Sequence, residues 1–387
     1  MEPYALDVPR RADPYPYYAQ LRASDPAHYS SAEGIWVLTR YDDCIAVLSD
    51  SALWSSQRRG NLINDLPERI GRTLGTTDPP RHVMARRLVS KAFSPPTAAQ
   101  LEPVIRATST ALHDRAAAAG SFEYVQAISS PLNARILGTM FGLPEPDFLD
   151  LRSLLDDFFL RDKADEHKPS RQDVAMRGLR DYVDGMVEAR AVCHGDDLVS
   201  AMLASRDGAE ALTHDQVAFT TMTFLTAGFE STNNLFTNMV GALALHPELL
   251  PRLRRDPAAP ALFVEETMRW DAPAQGFVRS PIRDVALHGR VVPEDAQVVV
   301  HIGAANRDPA AFPDPDRFDL DRPLARHLGL GHGIHFCIGA SLGRLMARVA
   351  IEDLVARAGT LSVDFDTAIR VATPNFRGFQ RLDVTVA

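Results

Sequence analysis

The pattern that most restricts the fold of this chain is a long run of helical sequence between residues 213 and 246. The segment from Thr213 to Gln216 has the form of a capping box that begins a helix, and no proline follows it until Pro247. At 1.5 Å per residue, such a helix is roughly 50 Å long. We expect a helix of this length to cross a whole domain.

The middle of this helix carries a polar patch that includes a glycine, Ala227-Gly228-Phe229-Glu230-Ser231-Thr232. A glycine inside a helix costs up to about 1 kcal/mol relative to alanine, and a buried acid costs more. Two interpretations remain open. Either the patch faces solvent, or the helix opens locally over a bound cofactor, so that its hydroxyl and carboxylate groups deliver protons.

A second feature is a cysteine in a glycine-rich loop directly before a helix. The loop runs from Gly329 to Gly339, contains Cys337 and leads into the helical sequence 340–347. Unpaired N–H groups and the positive end of the helix dipole stabilise a thiolate at such a position. The glycines at positions 329, 331, 333 and 339 let a large, flat group approach the backbone. Together these features suggest an axial sulfur ligand to haem iron.

Three other interpretations compete with a haem ligand. A single buried cysteine is often a small core residue. The glycine spacing also resembles a nucleotide fingerprint, but no strand clearly precedes it and no ribose-binding acid follows. His332, His335 and Cys337 are candidate zinc ligands, although the other cysteines, Cys44 and Cys193, are distant and not in paired spacing.

Length and pattern predict one globular domain over residues 1–387, because no repeat, low-complexity tract or Gly/Ser linker divides the chain. Strand patterns occur at 34–39 and in short runs between 285 and 301. We therefore expect a β-rich part at about 30–60, a helical core at about 80–270, and a region with strands and the cysteine loop at about 275–387. The fold class is mainly α with small β-sheets, loosely α+β.

Charge and cysteine content restrict the surroundings of the protein. The net charge of −9 weighs against general nucleic-acid binding. Three scattered cysteines indicate a reducing compartment rather than a disulfide framework. The N-terminal residues have neither a basic start nor an apolar run, so we expect no signal peptide or membrane anchor. The expectation is a soluble, cytoplasmic protein.

A third motif, Glu266-x-x-Arg269, places an acid and a base on one face of a helix. Alone, such a pair usually forms a surface ion pair of little energetic value. Here the segment 270–273 and a single Arg279 follow it, and an aromatic and proline-rich segment ends at Arg317 and Phe318. With the cysteine loop, the helix patch and the segment 78–86, these motifs resemble those of the cytochrome P450 family, in particular a soluble bacterial member.

The resemblance extends from about residue 13 to residue 383 and implies the P450 fold, a triangular prism of helices around a buried haem. It implies that Cys337 ligates the iron of haem b. Other cofactor contacts expected from the resemblance are His82, Arg86, Arg279, Leu330, Gly331, His335 and Gly339.

The resemblance also assigns roles in catalysis and in stability. The oxygen-binding groove and the acid and alcohol groups that deliver protons would lie in the central helix, at Ala227, Gly228, Glu230, Ser231 and Thr232. Glu266, Arg269 and Arg317 would form a buried ion network.

The sequence departs from the family pattern at two positions. Leu330 stands where the signature usually has an aromatic residue, which changes the packing beside the sulfur and the redox tuning of the iron. Ser231 stands where the family usually has threonine. Serine keeps the hydroxyl but loses the methyl group that restricts its rotamer, so proton delivery is expected to be looser.

The activity implied by the resemblance is monooxygenation of an organic substrate with O₂, by hydroxylation or O-dealkylation. The chain shows no flavin or iron–sulfur region, so electrons would come from a ferredoxin and its NAD(P)H-dependent reductase. A basic docking surface is predicted at Arg86, Arg87, Lys91, Arg326, Arg344 and Arg348. The same residues are also compatible with plain solvated surface. We expect a monomer that binds neither nucleic acid nor membrane.

The substrate is expected to be small and aromatic or planar, because aromatic residues fall in the segments that would form the substrate site. The candidate contacts are Phe224, Phe277, Phe376, Arg58 and Arg59. The two arginines are candidates to receive a carboxylate, but they are also compatible with a solvent-exposed loop, and each phenylalanine is also compatible with the core. Two alternatives stay open: a haem-binding sensor or carrier without turnover, and a hydroxylase of a larger natural product.

Overall fold

The computed structural model describes residues 12–63, 65, 67–144, 153–155, 157–158, 171–206, 208, 210–323, 326–371, 373 and 375–387. Within these residues the main helices, in chain order from α1 to α13, are Tyr15–Ser24, Tyr41–Ser49, Arg81–Ser90, Pro95–Gln100, Glu102–Ala119, Ser130–Phe141, Arg171–Val192, Leu198–Ala204, His214–Leu245, Leu250–Arg255, Ala259–Trp270, Ile302–Ala305 and Ala340–Arg357. The strands, from β1 to β10, are Ala27–Ser30, Ile35–Leu38, Trp54–Ser55, Ser121–Glu123, Phe277–Pro281, Val285–Leu287, Arg290–Val292, Val298–Val300, Leu361–Arg370 and Phe379–Val386.

The long central helix α9 confirms the prediction made from its capping pattern. It has 32 residues and begins after Thr213, whose hydroxyl oxygen accepts a hydrogen bond from the Gln216 N–H at 3.2 Å. The Gln216 side chain in turn accepts from the Thr213 N–H at 2.8 Å, so both halves of the capping box are present. The helix ends before His246, one residue short of the proline. None of the helices in the described ranges is long and apolar enough to cross a membrane.

The chain divides into two compact units, each assembled from segments that are distant in sequence. The first contains residues 1–83, 262–338 and 374–377, and the second contains 84–261, 339–373 and 378–387. Two of the five boundaries, at 83/84 and 261/262, fall inside α3 and α11. The expectation of one domain over residues 1–387 stays a prediction.

The first unit is built on a five-stranded sheet in the order β1-β2-β8-β5-β3, which the strands predicted at 34–39 and 297–301 enter as β2 and β8. β2 and β8 are parallel, and the other pairs are antiparallel. Successive residues point to opposite faces, so Val298 and Val300 pack in one hydrophobic cluster and Val299 in another. α2 contributes to the first cluster and α1 to the second. The predicted hairpin at 285–292 is also present, as β6 and β7.

The second unit is mainly helical, with α9 packed against α6 and α7, and α13 packed against α5. It also holds a three-stranded sheet in the order β4-β10-β9. Strands were predicted in only two parts of the sequence, so these three were missed. Only β10 carries a clear signal, the alternation of polar and apolar residues at 381–386, whose apolar members Leu382, Val384 and Val386 are buried.

Candidate active site

Cys337 lies in a loop that folds back on itself before α13. The Cys337 N–H donates to the Leu330 carbonyl oxygen at 2.8 Å, and the Gly331 N–H donates to the Leu328 carbonyl oxygen at 2.8 Å. The helix begins at Ala340, three residues after the cysteine, as the sequence predicts. The Cys337 side chain is exposed. The loop therefore fixes the backbone of the cysteine and leaves its sulfur accessible.

The glycines of this loop do two different things. Gly331 and Gly333 have φ angles of +73° and +67°, which side chains disfavour. A Cβ on Gly333 would lie 2.3 Å from the Leu48 carbonyl oxygen, and one on Gly329 would lie 2.6 Å from that of Met268. Gly329 and Gly333 are therefore needed for packing within the first unit. The expectation that the loop glycines admit a large, flat group stays a prediction. At Gly331 the nearest atom would be 3.6 Å away, and Gly339 has an ordinary φ of −83°.

The other two cysteines differ from Cys337 in their surroundings. Cys44 is fully buried, its Sγ donates to the Leu38 carbonyl oxygen at 3.6 Å, and burial raises the pKa of its thiol far above the usual value. Cys193 follows the last turn of α7 at the surface. The structure gives no support to a zinc site at His332, His335 and Cys337, because no group of three or more His, Cys, Asp or Glu side chains among the described residues is arranged to hold a metal ion.

Two of the predicted cofactor contacts, His82 and His335, which in the family face the haem propionates, lie against each other in the first unit. Their rings are 4.3 Å apart between centroids, and the Ser56 hydroxyl is 2.9 Å from His335 Nε2. Asp78 holds the adjoining segment, because its Oδ1 accepts from the Ser56 N–H at 2.8 Å. Arg86 follows His82 on the same face of α3, one turn later. The structure thus brings together residues from segments 55–82 and 335.

Arg279, another of the predicted cofactor contacts, is a buried cation in β5 with a nearby carboxylate, Asp78. Burial lowers the pKa of its guanidinium to about 10, although the charge of Asp78 opposes the shift. One guanidinium nitrogen donates to the Val278 carbonyl oxygen at 2.7 Å. A buried cation whose pKa remains lowered would be stabilised by a further anion. The chemistry of this position therefore fits a haem propionate.

The ion network on α11 is present, but its third member is Arg322 and not Arg317. Arg269 donates twice to the Glu266 carboxylate, at 2.8 and 2.7 Å, and burial lowers the pKa of Arg269 despite this pairing. Arg322 approaches the same carboxylate at 3.3 Å. The Arg317 side chain is 70% exposed and lies 3.9 Å from Asp319. The turn before Arg317 directs its side chain outward, and only its carbonyl oxygen joins the network, accepting from Arg269 and Arg322.

The polar patch of α9 makes hydrogen bonds in the second unit that the sequence did not reveal. The Ser231 hydroxyl donates to the Ala227 carbonyl oxygen, one turn earlier, at 2.6 Å. Glu230 is buried and accepts from Asn234 Nδ2 at 3.1 Å. Within the ranges that the structure describes, the Thr232 hydroxyl makes no hydrogen bond. A Cβ on Gly228 would lie 3.2 Å from Leu137 of α6, so this glycine permits close packing of the two helices.

The candidate substrate contacts are divided between the two units. The three phenylalanines each pack against other parts of the protein. Phe224 packs edge-on against Phe93, with ring centroids 4.7 Å apart. Phe277 packs against the hydrophobic cluster that contains Val298 and Val300. Phe376 is buried and forms an isolated antiparallel β-bridge with Ala274.

Arg58 forms ion pairs with Glu294 and Asp295 at the surface, and Arg59 Nε donates to the Asp295 carbonyl oxygen at 3.3 Å. The prediction that these arginines receive a substrate carboxylate is therefore not supported. The partners of both arginines lie in a turn about 236 residues further along the chain, which sequence spacing could not reveal.

The proposed docking arginines also differ from one another. Arg348 pairs with Glu102 and Glu352, each at 3.2 Å, and the Arg326 guanidinium lies 5.3 Å from the centre of the Phe336 ring. Arg87 is exposed on α3. The side chain of Lys91 lies outside the described part of the structure.

Two matched substitutions test whether Arg322, and not Arg317, is the third member of the ion network. Arg322→Ala should lower the free energy of unfolding by about 1–3 kcal/mol, because it removes a donor from the buried Glu266 carboxylate. Arg317→Ala should change it by less than about 0.5 kcal/mol, since this side chain is exposed. Urea unfolding followed by circular dichroism measures both. Equal losses in the two variants, or a larger loss at Arg317, would contradict the network described here.

Comparisons with known proteins agree with this geometry. The family model "Cytochrome P450" matches residues 261–358. The chain is 34% identical to cytochrome P450 monooxygenase PikC of Streptomyces venezuelae, over 98% of this chain and 92% of the relative. It is 31% identical to 6-deoxyerythronolide B hydroxylase of Saccharopolyspora erythraea, over 96% of each chain.

Among solved structures, cytochrome P450 CYP109Q5 from Chondromyces apiculatus superposes with a TM-score of 0.89 at 32% identity, over 99% of this chain and 97% of that chain. Likeness of this extent confirms the predicted mainly α fold with small sheets. The chain belongs to the cytochrome P450 family, the monooxygenases that hold the iron of haem b through a cysteine thiolate.

Proposed function

We propose that this protein hydroxylates a natural-product substrate and that Cys337 is the ligand to its haem iron. The observation that carries the proposal is the accessible sulfur of Cys337 in a backbone-fixed loop directly before α13. Cys44 is buried in the core, and Cys193 has no such loop around it. His82, Arg86, Arg279 and His335 would hold the propionates. When bound, the haem supplies the activation of O₂.

The protein's part in the reaction is to orient the substrate, exclude water and deliver protons. Ser231 and Glu230 are the proposed proton-delivery groups. The Ser231 hydroxyl donates a hydrogen bond to the Ala227 carbonyl oxygen. Its oxygen keeps lone pairs that can accept a hydrogen bond from a proton donor. Glu230 is held in place by Asn234 and supplies an ionisable group one residue away.

The proposed substrate class follows from two observations. Arg58 is paired with Glu294 and Asp295, which removes the argument for a small aromatic acid. One relative is named for hydroxylation of 6-deoxyerythronolide B rather than of an aromatic acid. A small planar substrate remains the second candidate, because Phe224, Phe277 and Phe376 supply aromatic surface in the segments that the family uses. A screen of both classes for the spin-state change that follows loss of iron-bound water distinguishes them.

The proposed electron donor is a ferredoxin served by an NAD(P)H-dependent reductase, in the cytoplasm. Arg87 and Arg344 are the arginines proposed for its docking, because Arg86 is proposed to hold a propionate. Arg348 is a weaker candidate than the sequence suggested, because Glu102 and Glu352 already neutralise it.

Substitution of the proposed ligand tests the haem assignment. The reduced parent with carbon monoxide should show the absorption band typical of thiolate-ligated haem. Cys337→Ala should lack that band and lose monooxygenation, whereas Cys193→Ala, the matched exposed cysteine, should keep both. A parent without the band would overturn the assignment. A sensor or carrier would show the band but form no product with any substrate that shifts its spin state.

Proton delivery is tested at the position where this chain departs from its family. Ser231→Ala should raise the fraction of electrons released as hydrogen peroxide several-fold and leave the substrate dissociation constant unchanged. Ser231→Thr should keep or improve coupling, because the methyl group restricts the hydroxyl. Thr232→Val is the control, since residues one apart on a helix do not share a face. An effect at Thr232 without one at Ser231 would show that the assignment is one residue out of place.

The docking proposal predicts a salt-dependent loss of electron transfer. Arg87→Glu should slow reduction by an acidic ferredoxin roughly tenfold at low ionic strength, and the loss should shrink above about 0.1 M salt, where charges are screened beyond about 10 Å. The same reversal at Arg177, an exposed arginine of α7 outside the proposed surface, should have little effect. Stopped-flow reduction kinetics measure both rates. An equal effect of the two reversals would contradict a specific docking surface.

A further inference from the structure

Asn133 of α6 is a fully buried amide that contacts the backbone of α9. Its Nδ2 lies 2.8 Å from the Phe229 carbonyl oxygen and 3.3 Å from that of Gly228. The same nitrogen is 3.3 Å from Asn233 Oδ1. All three partners are acceptors, so the orientation of the Asn133 amide is determined: the nitrogen must face α9.

A second contact fixes the far side of this network. Asn233 Oδ1 also accepts from the Ser129 hydroxyl, at 2.9 Å. Ser129 therefore holds Asn233, and Asn233 in turn helps to hold the Asn133 amide. Gly228 allows α6 to come this close, because a side chain there would meet Leu137. These contacts all lie within the second unit.

The contacts with Asn133 and Ser231 fall on three consecutive carbonyls of α9. Ala227 receives the Ser231 hydroxyl, and Gly228 and Phe229 receive Asn133. In a helix each of these carbonyls also accepts from the N–H four residues later. A second donor shares the carbonyl and tilts it away from the helix axis, which loosens the main-chain bond and bends the helix. The next two residues are Glu230 and Ser231, the proposed proton-delivery groups.

We propose that Asn133 is a positioning residue for proton delivery. It donates to the carbonyls of Gly228 and Phe229 and so sets the backbone from which the Glu230 and Ser231 side chains project. It touches no reacting atom. The inference rests on the proposed function, because it needs Ser231 to act in coupling.

A double-mutant cycle between Asn133 and Ser231 tests the proposal in the holoenzyme. The substrate is the compound that gives the largest spin-state change, and the measured quantity is hydrogen peroxide formed per NAD(P)H oxidised. Asn133→Leu, which keeps the approximate size but cannot donate, should raise this ratio at least threefold. The Asn133→Leu/Ser231→Ala variant should release no more peroxide than Ser231→Ala alone.

Thr226→Val is the matched control, because the Thr226 hydroxyl is buried in the same helix but donates to its own Met222 carbonyl, at 2.9 Å. It should leave the peroxide ratio within twofold of the parent. Asn133→Ala replaces Asn133→Leu if the larger side chain prevents folding. A parent-like ratio in the Asn133 variant, or effects of Asn133 and Ser231 that multiply, would overturn the proposal.

Amide hydrogen exchange of the substrate-free holoprotein gives a readout that does not depend on turnover. The N–H groups of Thr232 and Asn233 share the two carbonyls with Asn133, so Asn133→Leu should slow their exchange several-fold relative to Phe236, one turn further on. Faster exchange at all three amides would mean that Asn133 only stabilises packing. A failure of the haem assignment would appear separately, in the carbon monoxide spectrum of the parent.

Discussion

The position of the cysteine loop depends on the hydrogen bonds and ion pairs of the buried Glu266 carboxylate. This carboxylate accepts from Arg269, Arg322 and the Asp319 N–H, the last at 2.9 Å, and so joins α11 to the segment that precedes the loop. Arg269 extends the connection by donating to the carbonyl oxygens of Asn306 and Pro315. An unpaired carboxylate at this depth would be strongly destabilising, so the acid and its arginines are required together.

The loop is then positioned by contacts that follow directly from this network. The Asn306 amide donates to the Met268 carbonyl oxygen at 3.3 Å and accepts from the Leu328 N–H at 2.7 Å. Gly329 lies against the same Met268 carbonyl, where no side chain would fit. Through these contacts, the helix that carries Glu266 fixes the residues that begin the turn around Cys337. A stable ion network and a correctly placed sulfur are thus two results of one arrangement.

Local sequence signals predicted much of this fold, and long-range contacts explain what they missed. The cap at Thr213, the strands at 34–39 and 285–301 and the helix after Cys337 each depend on neighbouring residues, and each was predicted correctly. Arg322 was missed, because the partner of Glu266 lies 56 residues away and is chosen by the path of a turn. Asn133 was missed for the same reason, since nothing in its own helix indicates that it donates to α9, 96 residues later. The glycines of the cysteine loop were recognised from the sequence. The carbonyl oxygens of Met268 and Leu48, which leave no room for a side chain at Gly329 and Gly333, could be identified only in the fold.

The central claim is that the Cys337 sulfur ligates the haem iron, and X-ray absorption at the iron edge of the purified holoprotein tests it most directly. We expect one sulfur atom in the first coordination shell of the parent and of Cys193→Ser, and its replacement by a lighter oxygen or nitrogen ligand in Cys337→Ser. A sulfur neighbour that persists in Cys337→Ser, or that is absent from the parent, would contradict this claim.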